Sequence, residues 1–184
     1  MNRRSFCEAL SAVPLGLVSQ QPEKSALTAA GVRVPAGNDR FNTPLHLPTD
    51  TPLWVKVAST DTAGGFFLTE QTHTRKGGPR LHFHFDQDEW WYCLAGQYAV
   101  QVGTARFELK PGDTVFGPKR VPHTFALVSE TPGKILVGFA PAGRMEDLFR
   151  EQARRGRGFG DGDAADQQQL RDFGIQNVGP ALSV

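Results

Sequence analysis

His82, His84, Glu89 and His123 are the residues of this chain whose types and spacing could do chemistry together, and that chemistry is metal binding. Three imidazoles and a carboxylate suit iron, manganese, nickel, copper or zinc. A site of four protein donors keeps one or two positions for water or substrate when the ion is five- or six-coordinate. His82 and His84 flank Phe83 in the run HFHF. Alternate residues of a strand face the same side, so both imidazoles would enter one interior. Glu89 lies five residues past His84, which breaks the period of two. A bend at Asp86, Gln87 and Asp88 is expected to return it to the inside. His123 must then arrive from a later hairpin. His46 and His73 read differently, as ordinary hydrogen-bonded histidines, the first in an N-terminal arm and the second near a strand end.

The elements that must position these donors are short strands. From Leu53 the apolar residues fall into runs bounded by turn residues: LWVKVA, FFLTEQT, EWWYCLA, QYAVQV, RFEL, DTVFG, HTFALV and KILVGFA, with Gly64-Gly65, Gly77-Gly78-Pro79, Gly96, Gly103, Pro111-Gly112 and Pro132-Gly133 between them. That spacing predicts eight or nine strands in a meander, closed into a barrel or folded into two sheets. If Glu89 points inward, so do Trp91 and Cys93, while Trp90 and Tyr92 face the other side. Counting from His123, Phe125 and Leu127 also look inward. Trp91, Phe125 and Leu127 are therefore the candidate substrate-binding residues, forming an apolar, aromatic surround for a charged centre. Core packing accounts for them equally well.

Gly77-Gly-Pro-Arg-Leu-His82-Phe-His84, followed by Glu89 and Gly96, resembles the first motif of the cupin superfamily, and Pro111-Gly112-Asp113 with Pro118 and His123 resembles the second. In the first motif the leading glycine is one residue nearer to His82 than usual, and two positions depart from the second. Arg120 stands where the family often has glycine, and Leu127 stands where asparagine is common. The resemblance runs from Thr51 to Pro141, and Asp172-Phe-Gly-Ile175 with Gly179-Pro180 is similar to the ending of bacterial quercetin-dioxygenase-like single-domain cupins.

This resemblance implies an all-β fold, the double-stranded β-helix or jelly-roll barrel, with a short C-terminal helical tail. It implies one divalent transition metal ion held by His82, His84, Glu89 and His123, and dioxygenase action on a flavonol- or enediol-like small molecule. Glu89 would serve as both ligand and base. The same fold also binds sugars or organic acids without chemistry, or isomerises them, and fold alone does not choose among these readings. Pairing into a homodimer through barrel edges is expected, with Trp90 and Tyr92 as aromatic anchors.

Composition bounds the partners. Twenty Lys and Arg against nineteen Asp and Glu leave a formal charge of +1 over 184 residues, so the overall field favours neither nucleic acid nor an acidic membrane. The run Arg154-Arg-Gly-Arg-Gly-Phe is offset at once by Asp161, Asp163 and Asp166, and phosphate binding needs unneutralised charge. Arg3-Arg4-Ser5-Phe6, ahead of a mildly apolar run to Val18, resembles a twin-arginine export signal and points to a periplasmic or secreted protein, the alternative being a cytoplasmic one with this segment as an N-terminal arm. That run is far shorter than the roughly 20 apolar residues of a spanning helix, so no stable membrane anchor is expected. Removal of the signal would take Cys7 with it and leave Cys93 alone, with no internal disulfide.

The expected organisation is therefore an export signal and arm over 1–30, a barrel with its N-terminal arm over 31–142, and a helical tail packed on the barrel over 143–184. In the tail, Met145, Leu148, Phe149 and Gln152 recur at helical spacing. A second helix is expected from Ala164 to Phe173, with Asp163 capping its start and Gly174 its end.

Overall fold

The computed structural model describes residues 31–48, 51–159 and 163–184. Arg3, Arg4, Cys7 and the rest of the segment read as an export signal lie outside the described residues. Among the described residues no helix is long and apolar enough to cross a membrane.

Eleven strands and two α-helices make up the described chain. The strands are β1 (Leu45–Leu47), β2 (Thr51–Val57), β3 (Phe67–His73), β4 (Arg80–His84), β5 (Asp88–Ala95), β6 (Tyr98–Val102), β7 (Ala105–Leu109), β8 (Thr114–Gly117), β9 (His123–Leu127), β10 (Gly133–Ala140) and β11 (Ile175–Ala181). The helices are α1 (Met145–Arg155) and α2 (Ala164–Asp172). One sheet runs β1-β2-β3-β10-β5-β8 and the other β11-β4-β9-β6-β7. All pairings are antiparallel. The fold is the expected all-β jelly roll. It is not a meander, because β10 inserts between β3 and β5, its Phe139 facing Phe67 on one side and Glu89 on the other. A period-two pattern shows which way each side chain points but not which strand lies beside it.

The inner faces follow the alternation in the sequence. Phe67, Thr69, Gln71 and His73 of β3 are buried while Leu68, Glu70 and Thr72 are half-buried. Glu89, Trp91 and Cys93 alternate in the same way with Trp90 and Tyr92 on β5. The outward Trp90, half-buried, stacks on Phe66, ring centroids 6.4 Å apart, and lies over its cross-strand neighbour Gly138. A Cβ on Gly138 would come within 2.3 Å of the Trp90 indole nitrogen, so the indole occupies space that only glycine leaves. Gly78 is tighter still, since a Cβ there would meet the Phe125 carbonyl oxygen at 1.7 Å.

The tail departs from a purely helical one. α1 presents Met145 and Leu148 to the core, with Glu146 and Asp147 in its first turn and Arg154 and Arg155 in its last, the charge order that suits the helix dipole. α2 begins where Asp163 accepts a hydrogen bond from the Ala165 N–H at 2.8 Å. After Gly174 the chain becomes β11 and pairs with β4, placing Ile175 opposite His84 and Asn177 opposite His82. β11 is thus part of the sheet that carries three of the candidate ligands, His82 and His84 on β4 and His123 on β9. The glycine and proline of Ile175–Ala181 conceal it as a strand, and it holds because it lies at the sheet edge, where an absent N–H costs little. The arginine-rich run is spent inside the molecule: Arg154 pairs with Glu151, and Arg155 and Arg157 both pair with buried Asp166.

Candidate metal centre

The two histidines of β4 point into the barrel together. Phe85 and Asp86 form the bend after them, and β5 resumes at Asp88 so that Glu89 re-enters the interior. His123 is the first residue of β9 and pairs directly with His82 across the two strands. The four ligand atoms lie within 4.8 Å of one another. Glu89 Oε2 is 2.9 Å from His84 Nε2, 2.9 Å from His123 Nε2 and 3.8 Å from His82 Nε2. Two donors each about 2.1 Å from a shared ion stand about 3 to 3.5 Å apart at octahedral or tetrahedral angles, so this spacing suits a single ion.

The protein also sets the tautomers. His82 Nδ1 is 2.7 Å from the Arg80 carbonyl oxygen and His123 Nδ1 is 2.9 Å from that of Val121. A carbonyl only accepts, so each Nδ1 carries the proton and each Nε2 presents a lone pair to the centre. With its proton on Nδ1, His123 sets the Nε2 lone pair 2.9 Å from Glu89 Oε2, an opposition of two electron-rich atoms that a shared cation would relieve. These observations fit a metal ion.

Burial sets the charges. It alone would raise the Glu89 carboxyl, but the surrounding imidazoles of His123, His82 and His84 outweigh it and hold Glu89 well below the usual carboxylate range. His84 moves down because burial disfavours its cation, with only partial compensation from Glu89. Glu89 is therefore a buried carboxylate beside His84, whose ring burial keeps neutral, and an ionised carboxylate is the form in which this residue can ligate a divalent cation.

Beside the centre is a cavity of about 660 Å³, within the range of small-molecule sites. His82, His84 and Glu89 line it, while His123 sits behind them. Phe139, Val137 and Phe125 form apolar wall, and α1 contributes Met145, Leu148, Phe149 and Gln152 as a roof. Of the three residues expected to bind substrate, Phe125 lines this cavity and Trp91 and Leu127 do not. Trp91 is fully buried behind the centre, its ring 5.3 Å from that of His123, and Leu127 is fully buried near Tyr98 and Gly133. Inward parity puts a side chain inside the barrel, but most of that interior is packed core.

Several cavity residues escape the motif reading, two of them buried polar side chains of β3. Gln71 and His73 line the wall from β3, and His73, the last residue of that strand, is buried and hydrogen-bonded, as its position near a strand end suggests. The available signal was polar residues at the inward parity of FFLTEQTH. The turn before His123 shows how the departure at Arg120 is absorbed. Arg120 takes the left-handed conformation itself, φ 64°, with its N–H bonded to the His84 carbonyl at 2.8 Å and its Nε to the Phe85 carbonyl at 3.0 Å.

Residues 70–139 match the cupin domain family. An uncharacterised protein of Methanocaldococcus jannaschii is 34% identical over 67 residues, covering 36% of this chain and 54% of its own length. Quercetin 2,3-dioxygenase of Bacillus subtilis is 30% identical over 95 residues, covering 51% of this chain and 28% of that enzyme. The chain thus spans about half of the first relative and little more than a quarter of the second. Among solved structures, an RmlC-like cupin from Shewanella frigidimarina aligns at 18% identity and TM-score 0.45, over 54% of this chain and 84% of that one.

Proposed function

From a chain whose residues 70–139 form a cupin domain, we infer a metal-dependent dioxygenase acting on a small flavonol- or enediol-like molecule. The observation that carries this reading is the placement of His82, His84 and Glu89 on the wall of a largely apolar 660 Å³ cavity. The sequence likeness to quercetin 2,3-dioxygenase supports it.

His82, His84, Glu89 and His123 would hold one divalent ion, iron, manganese, nickel, copper or zinc. Such an ion supplies Lewis acidity for an enol oxygen and a meeting point for dioxygen. The chain's own residues do the rest. Arg80 and Val121 carbonyls fix the rings of His82 and His123, so the site is preorganised before substrate arrives. Glu89 sets Oε2 against the histidine cluster, and in this reading its other oxygen would accept the substrate hydroxyl proton. Phe125, Phe139 and Phe149 exclude water and give a flat ring an apolar seat. Export and dimerisation through a barrel edge remain parts of this proposal, checked by cell fractionation and sedimentation.

A second reading, ligand binding without chemistry, takes support from the same wall, where Glu89 is the one carboxylate among the described residues. Oxygen-electrode assays of metal-loaded protein against flavonols and enediols separate the two. Oxygen uptake is expected, with Glu89→Gln abolishing turnover more than it weakens binding. No uptake across the panel would leave the binding reading.

A further inference from the structure

The cavity also carries polar side chains that the metal centre does not use. Gln71 and His73 occupy successive inward positions of β3, both buried and both on the wall. Their protons are arranged from behind. The Tyr98 hydroxyl lies 3.0 Å from His73 Nδ1, and burial keeps that phenol protonated far beyond neutral pH. The imidazole nitrogen is the hydrogen-bond partner this buried hydroxyl has among the described residues, so the hydroxyl donates, Nδ1 accepts, and the ring proton resides on Nε2. The ring is held edge-on by Tyr98 at 5.7 Å and Phe125 at 5.6 Å between centroids.

Gln71 is oriented by a second relay. Thr69 Oγ1 donates to the Val137 carbonyl at 3.3 Å and therefore accepts from Gln71 Nε2, also at 3.3 Å. The amide oxygen of Gln71 is left as an acceptor toward the cavity. One wall thus offers a donor, His73 Nε2–H, beside an acceptor, Gln71 Oε1. Phe125, which touches His73, is two residues along β9 from His123, which puts the pair on the order of 10 Å from the metal centre.

We propose that Gln71 and His73 form a second subsite that takes a hydroxyl group, phenolic or alcoholic, at the end of the ligand remote from the metal. A hydroxyl donates and accepts through one atom. A carboxylate, although Arg75 and Lys76 also line the cavity, would set negative charge against Gln71 Oε1, and an ammonium group would meet both those cations and the His73 N–H. The proposal rests on the dioxygenase reading and narrows its substrate to an enol bearing a distal hydroxyl.

The test uses the metal-loaded full chain with 4-propylphenol and propylbenzene, neither of which chelates a metal. The phenol is expected to bind at least about tenfold more tightly and to shift the His73 Nε2–H resonance in nitrogen-15 NMR. Gln71→Met and His73→Phe should each reduce that preference to about twofold or less while leaving propylbenzene binding unchanged. Equal binding of the two probes, no phenol binding, or a preference that survives Gln71→Met overturns the subsite. Should His73→Phe fold poorly, Gln71→Met, close in shape, decides alone. Flavonols that draw no oxygen uptake while the phenol preference holds would overturn the oxygenase reading and leave the subsite standing.

Discussion

His84 and Glu89 are separated by four residues along the chain, yet His84 Nε2 and Glu89 Oε2 stand 2.9 Å apart inside the barrel. The contact pairs a ring that burial keeps neutral with a carboxylate that its imidazole neighbours keep ionised. Such an arrangement is costly in a low dielectric unless a cation shares it.

Elemental analysis of the purified full chain should accordingly find one divalent transition ion per polypeptide. His84→Ala and His123→Ala should each weaken metal affinity, read by competition with a chelating dye, by more than the roughly 10–100-fold typical of losing a supporting hydrogen bond. Affinity unchanged in both variants would remove the centre.

Gly78→Ala should be among the most damaging single-methyl additions to the barrel. The obstacle is the Phe125 backbone carbonyl at 1.7 Å, which no rotamer change can move. Denaturant titration should show a loss of about 3 kcal/mol or failure to fold, at the upper end of overpacking costs. A near-neutral result would mean that β9 shifts freely, against its role in placing His123.

Arg120 offers a graded test of the turn before His123. Its left-handed backbone, φ 64°, tolerates glycine well and β-branched residues badly. Its ion pair with Asp86 joins two side chains that are both about three-quarters exposed and adds little. Arg120→Gly should change stability by less than about 1 kcal/mol, whereas Arg120→Val should lose about 1 to 2 kcal/mol. The reverse order in thermal melts would show that the side chain, not the backbone conformation, holds the turn.

Acid should destabilise the apoprotein in a defined window. Burial pushes His73 down to about 4, against roughly 6.5 in an unfolded chain. Between those values the unfolded state binds a proton that the folded state refuses, so stability falls as pH drops from about 6.5 to about 4 and is unaffected by this group above that range. The full shift corresponds to about 3 kcal/mol. His73→Phe should flatten the decline of melting temperature over that interval. An equally steep decline in the variant would assign the acid sensitivity to other groups, His84 first.

The sequence by itself determined what depends on alternation and local spacing. HFHF on one strand, Glu89 returned by a bend, and Trp91 and Cys93 on the same side as Glu89 all follow from a period of two, and hydrophobic recurrence at three and four marked α1. The tertiary structure decided what depends on which strands become neighbours. It inserted β10 between β3 and β5, converted the last residues into β11 beside His82 and His84, and left Phe125 on the cavity wall while packing Trp91 and Leu127 away from it. It also brought His73, at the end of β3, onto that wall. Parity is local and survives any strand order, whereas a cavity exists only where non-local elements fail to fill the space between them, and no single segment encodes that.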